Sequence, residues 1–191
     1  MARVSIIGTG TMAQAISSVV AAGGNTVELL GEDDVQQPIS GEIVILAVPF
    51  GALKDIVAVR GEQLAGKIVV DITNPLDFET FDSLLVPADS SAAAGLAQAL
   101  PSSRVLKAFN TTFAGTLAAG KVGDLTTTVL IAGDDADAKA VLAGIVTAGG
   151  LRAVDAGSLT RARELEAVGF LQLTLAAAEK ISWTGGFGLI N

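Results

Sequence analysis

The chain has 191 residues and carries 12 Lys and Arg against 20 Asp and Glu, for a formal net charge of −8. Half of it is hydrophobic, enough for one packed domain, and its acidity excludes nucleic acid or an anionic membrane surface as the principal partner. Cys, His and Tyr are absent, which removes disulfides, thiolate chemistry, His-based triads and relays, His or Cys metal sites and Tyr acids. The lack of Cys fits a cytoplasmic setting, no metal site is expected, and no apolar run has the length of a membrane span. The opening stretch has the outline of a signal peptide, but Gly8, Gly10 and Gln14 interrupt what would be its apolar centre.

In chain order, strands are expected at 4–7, 27–30, 43–48, 68–72, 105–109, 127–132 and 151–154, most of them continuous apolar runs, as in strands covered on both faces. Helices are expected at 11–22, stopped by Gly23-Gly24, then at 91–100 and 136–148, and finally as a long helix over 158–182. Only the residues 31–41 separate the second strand from the third, too few for a full helix in that crossover. Alternating strands and helices predict an α/β fold, a Rossmann-like doubly wound and mainly parallel sheet with a long C-terminal helix. It is read as one domain over 1–191, with its core in 1–155 and the C-terminal helix and tail in 156–191.

Gly8-Thr9-Gly10-Thr11-Met12-Ala13 directly follows the first strand and opens the first helix. In that setting Gly8 permits the tight turn, Gly10 lets a pyrophosphate approach the backbone, and Ala13 lets helix and strand pack closely. The helix start adds unpaired N–H groups and a positive dipole end. The ribose-contacting position falls at Gly31 or Glu32. An acidic residue there accepts a 2′-hydroxyl and repels a 2′-phosphate, so Glu32, Asp33 and Asp34 lean towards NAD, although they equally suit a solvated acidic loop. Ligands in such folds sit at the carboxyl edge of the sheet. Three further strand ends therefore matter: Ala47-Val48-Pro49, the Asn74-Pro75 turn, and Asn110-Thr111-Thr112. Asn74, Asn110 and Thr111 are polar enough to bond a nicotinamide amide or a second ring, and equally suit turns and caps. Near the end, Arg161–Glu164 and Arg163–Glu166 have the spacing of surface pairs on a helix, while Trp183-Thr184-Gly185-Gly186-Phe187-Gly188 suits closing over a flat ring or docking on another subunit.

Gly8-Thr9-Gly10-Thr11-Met12, Ala47-Val48-Pro49, the segment 67–75, the segment 107–111 and Asp155-Ala156-Gly157-Ser158-Leu159 together resemble the coenzyme F420-dependent NADP oxidoreductase family. More narrowly, the chain looks nearly end to end like the small bacterial dinucleotide-binding members of that family; the nucleotide-binding domain of STEAP metalloreductases is similar too. It implies NADP bound along Gly8–Ala13 and the loop after Leu30, with nicotinamide near Ala47-Val48-Pro49 and Asn74. It further implies F420 or a flavin as second substrate near Asn110, Thr111 and the terminal segment, and a homodimer through the last helix. Where the family carries a hydroxyl residue and a base for the 2′-phosphate, this chain has Gly31-Glu32-Asp33, which keeps NAD as the alternative. Where the deazaflavin enzymes carry a His, it has Asn110.

The chemistry expected is hydride transfer between nicotinamide and a flat ring, which needs orientation more than acid–base groups. A small carbonyl or imine reductase is the alternative enzyme, with Lys107 or a carboxylate giving the proton. A non-catalytic NAD(P)-sensing module is the alternative outside catalysis.

Overall fold

The computed structural model describes residues 1–190. In chain order the elements are β1 (Arg3–Ile7), α1 (Thr11–Ala22), β2 (Thr26–Leu30), β3 (Ile43–Leu46), α2 (Leu53–Leu64), β4 (Ile68–Asp71), α3 (Ala92–Ala99), β5 (Arg104–Lys107) and α4 (Ala114–Ala119). A short hairpin, β6 (Lys121–Val122) and β7 (Leu125–Thr126), leads into β8 (Thr128–Gly133), α5 (Ala136–Ala148), β9 (Arg152–Gly157) and α6 (Ala162–Ala177).

Seven strands form one sheet in the order β2-β1-β3-β4-β5-β8-β9. The first five are mutually parallel; β8 runs antiparallel to β5 and parallel to β9. Along each inner strand the side chains alternate between two cores. Ile43, Ile45, Ile68 and Val70 join α1, α4 and α5 on one face. Val44, Leu46 and Val69 join α2, α3 and the start of α6 on the other. This is why the strands read as unbroken apolar runs: a strand buried on both sides has no polar face to alternate with. The fold is the expected α/β Rossmann-like sheet, wound on both faces.

The crossover from β2 to β3 holds a single 3-10 turn, Glu32–Asp34, and no α-helix, as its length requires. The chain passes from β1 to β2 on one side and then to β3 on the other, so the strand order reverses between β1 and β3. That reversal opens a crevice at their carboxyl ends.

Four features differ from expectation. α2 escapes sequence reading because it buries only Leu53, Arg60 and Leu64 and so shows little periodicity. α4 and the β6–β7 hairpin are too short to leave a pattern. The helix expected over 158–182 is a 3-10 turn at Leu159–Arg161 followed by α6, which stops at Ala177. There Glu179 takes φ 57°, with its N–H on the Ala176 carbonyl and that of Lys180 on Leu175 at 2.8 Å. This is the closure normally made by Gly, so the sequence carries no stop signal at that point. α6 remains the longest helix among the described residues. No helix among them is long and apolar enough to cross a membrane, and they contain no cluster of three potential metal ligands.

Candidate functional site

The crevice is formed where β1 and β3 end side by side. The Ala47 N–H donates to the Ile7 carbonyl and the Gly8 N–H to the Leu30 carbonyl, both at 2.8 Å, so the chain leaves β1 pressed between its two neighbours. Gly8 has φ 118°, and a Cβ there would fall on the Ala47 carbonyl oxygen. No other residue fits that turn. Gly10 is different: a Cβ on it would meet nothing within 4 Å. Its lack of a side chain answers no crowding within the protein and leaves open space beside the backbone. Gly10 is also the N-cap of α1, and no side chain caps that helix. The first N–H groups of α1 thus face the opening without protein partners, the geometry of a phosphate cradle. A dinucleotide's pyrophosphate fits it. Ala13 lies on the buried side of α1, fully enclosed in the core, and serves packing.

Two lobes extend from this cradle, sharing Gly10 and Ala47-Val48-Pro49. One, of about 910 Å³, runs beside β2 and is lined by Thr9, Gly31, Glu32, Asp33, Asp34 and the α2 residues Asp55 and Arg60. The other, of about 630 Å³, runs over the ends of β3, β4 and β5, with Thr11, Met12, Thr73, Asn74 and Asn110 in its wall. Its rings come from Phe50, Phe78, Phe109, Phe113 and Trp183. Among the described residues that line this second lobe there is no Asp, Glu, Lys or Arg. Of the residues picked out from sequence, Pro75 and Thr111 are buried and form no part of either wall.

Asn74 and Asn110 are locked together. Asn74 Nδ2 donates to the Asn110 carbonyl at 2.9 Å, and Asn110 Nδ2 donates to Asn74 Oδ1 at 3.0 Å and to the Leu165 carbonyl of α6 at 2.8 Å. With its amide protons spent, Asn110 keeps Oδ1 without a partner, and the Thr73 hydroxyl is likewise unpartnered. Two devices hold the pair. Phe109, buried at 1% exposure, turns the chain after β5 with φ 63°, a conformation costing a non-Gly residue about 1 kcal/mol or more. Gly169 of α6 lets the helix approach, since a Cβ there would strike Asn74 Oδ1. Sequence reasoning did not single out Gly169; a glycine inside a helical run was the available signal.

Behind this edge lies a buried ionic cluster. Lys107, paired in register with Asp71 across β4 and β5, sends its ammonium to Asp71 Oδ2 at 2.9 Å, to Glu166 Oε1 at 2.8 Å and to the Thr73 carbonyl at 2.5 Å. Glu166 also accepts the Ala92 N–H at 2.9 Å, tying α6 to the start of α3. Burial raises the Glu166 carboxyl above its ordinary value, with Lys107 pulling the other way. The expected Arg163–Glu166 surface pair therefore does not form: Glu166 points inward, and Arg163 pairs instead with Glu164 at 3.1 Å. Arg161–Glu164, at 3.5 Å, is the exposed pair that its spacing implies.

The terminal segment crosses its own chain. The Trp183 ring lies 5.0 Å from Phe113 at a 53° tilt, Thr184 packs on Gly115, and the Phe187 N–H donates to the buried Gln172 of α6 at 3.3 Å. Trp183 and Thr184 thereby form an outer wall of the ring-lined lobe.

Known proteins resemble this chain in sequence and in fold. The family model "NADP oxidoreductase coenzyme F420-dependent" matches residues 31–75. The F420-dependent NADP reductase of Methanocaldococcus jannaschii is 30% identical over 166 residues, covering 85% of this chain and 74% of that protein. Metalloreductase STEAP3 of Rattus norvegicus is 33% identical over 185 residues, or 87% of this chain; the chain spans only 36% of that relative's length. A crystal structure from Arthrobacter sp. FB24 superimposes with a TM-score of 0.85 at 24% identity over 100% of both chains. The chain belongs to the coenzyme F420-dependent NADP oxidoreductase family.

Proposed function

We propose that the chain carries hydride between a nicotinamide dinucleotide laid across the two lobes and a flat ring acceptor, an F420-like deazaflavin or a flavin. The wall of the ring-lined lobe carries this reading: it is built from rings, amides and small residues, with no titratable side chain among the described residues. A bound reduced nicotinamide supplies the hydride. The chain's part is to hold two rings face to face at about 3–3.5 Å, which alone yields most of the rate in such transfers. The Gly8–Ala13 turn and the start of α1 take the pyrophosphate, and Ala47-Val48-Pro49 backs the nicotinamide. Asn74 and Asn110 act as positioning residues at its rim, with Thr111 behind them in the turn. Phe109, Phe113 and Trp183 exclude water and give the acceptor an apolar slot.

Reducing a carbonyl or imine would ask for a proton donor in contact with substrate. Lys107, the cation nearest to that role in the sequence, is fully buried and already donates to three acceptors. A ring acceptor holds the added electron pair in its conjugated system and can take its proton from solvent after the hydride has moved, so the lack of a donor costs it little.

The test is rapid mixing of the protein and reduced dinucleotide with F420, FMN and FAD in turn. Fast reduction of at least one is expected. Tight nucleotide binding without reduction of any of the three would overturn the ring-to-ring reading and leave a carbonyl or imine substrate or a sensing module.

A further inference from the structure

The lobe beside β2 is where the two nicotinamide dinucleotides differ, since one carries a 2′-phosphate on its adenosine ribose and the other a hydroxyl. We infer that this chain, unlike the family that it belongs to, selects NAD(H) over NADP(H), and that Glu32 and Asp33 set the choice. The inference rests on the dinucleotide reading of the cleft and adds the identity of the dinucleotide.

Gly31 follows β2 at the point where Leu30 bonds the Gly8 turn, so the residues after it stand next to the phosphate cradle. The Gly31 N–H is taken by Asp34 Oδ2 at 2.7 Å, which closes the 3-10 turn and fixes the loop. That leaves Glu32 and Asp33 exposed on the lobe with no protein partner among the described residues. A carboxylate so placed accepts the hydrogen bond of a ribose hydroxyl and repels a phosphate dianion.

The one cation in that wall does not offset them. Arg60, 4% exposed, donates from Nη1 to the Gln37 carbonyl at 3.0 Å and from Nη2 to the Asp34 carbonyl. Its guanidinium is buried beneath the loop and braces it through two of its five N–H groups, while Glu32 and Asp33 stand exposed above it. A 2′-phosphate would therefore enter a lobe lined by Glu32, Asp33, Asp34 and Asp55, four carboxylates against the one buried cation of its wall, Arg60. The structure fits the dinucleotide and does not fit its extra phosphate.

The test is calorimetric titration of the whole chain with NADH and with NADPH at low and high salt, repeated on Glu32→Ser/Asp33→Arg. NADH is expected to bind about 10–100-fold tighter at low salt, because like charges set against each other are strongly penalised in recognition. The ratio should narrow at high salt as the repulsion is screened, and the double variant should reverse the preference. Equal or tighter binding of NADPH by the natural sequence would overturn the inference while leaving the dinucleotide reading intact. Binding of neither nucleotide would overturn both. An unchanged ratio in the variant would show that these two carboxylates do not set it.

Discussion

Replacing Lys107 by Met separates a structural role from a chemical one. The substitution keeps the volume of the stem and removes the ammonium from between Asp71 and Glu166, whose side chains are 0% and 1% exposed. Asp71 retains one backbone donor, the Thr73 N–H at 2.8 Å, and Glu166 two, the Ala92 N–H at 2.9 Å and the Ala93 N–H at 3.4 Å. Neither retains a counter-charge. Removing one partner of a buried ion pair costs about 3–5 kcal/mol, a large share of the roughly 5–15 kcal/mol that holds a domain together. With a urea slope of about 2 kcal/mol per molar, the unfolding midpoint followed by circular dichroism should fall by roughly 2 M. The loss also has a direction in pH. Burial already raises Glu166, and Lys107 is the chief group that opposes the rise, ahead of the Ala92 N–H. Without it the folded-state value climbs further above the unfolded one, so the variant holds its stability while Glu166 is protonated and loses it as pH rises through that value. The deficit is therefore expected to be larger at about pH 8 than at about pH 5. A variant that unfolds like the natural protein at both pH values but has lost all turnover would refute this reasoning and make Lys107 a participant in the reaction.

Two glycines in the cradle should behave oppositely. Gly8→Ala places a methyl on the Ala47 carbonyl and forces an L residue to φ 118°, so a loss of about 2–4 kcal/mol is expected in denaturant titration. Gly10→Ala meets nothing, so its melting temperature should stay within about 2 °C of the parent's while dinucleotide affinity drops about tenfold or more. Equal effects of the two on stability would show that the cradle is only a turn. The expected homodimer would cover the exposed part of α6, where Leu171 is 52% and Val168 37% exposed. Sedimentation should then give a dimer that Leu171→Glu converts to a monomer, and a monomeric natural protein at micromolar concentration would remove that expectation.

The parts of this molecule legible in its sequence are those whose cause is local. The Gly8–Ala13 turn, the capless start of α1 and the short β2–β3 crossover follow from chain geometry and from how many residues a crossover takes. The strands of the seven-stranded sheet were equally readable, because two-sided burial of its inner strands writes itself as uninterrupted Val, Ile and Leu. What stayed hidden depends on side chains distant in the chain. Glu166 looks like one half of a helix-surface pair until α6 docks and turns it onto Lys107, 59 positions earlier by the sequence numbering. Arg60 looks like an ordinary charge on a polar helix until the loop folds over it. Gly169 looks like a weak spot in a helix, and its reason is Asn74, which reaches it from the end of another strand.

Trp183 is the single tryptophan of the chain, and no tyrosine accompanies it. Its ring stands in the wall of the lobe proposed for the nicotinamide and its acceptor, against Phe113. The ultraviolet emission of the protein thus comes from one indole at one place, and reduced nicotinamide and flavins both absorb in the band where indole emits. A reduced nicotinamide or flavin bound in the cleft would therefore dim the protein's own light by energy transfer, while an adenosine nucleotide, which does not absorb in that band, would leave it almost unchanged. The molecule contains its own optical gauge of whether an absorbing ring is bound, with no label attached.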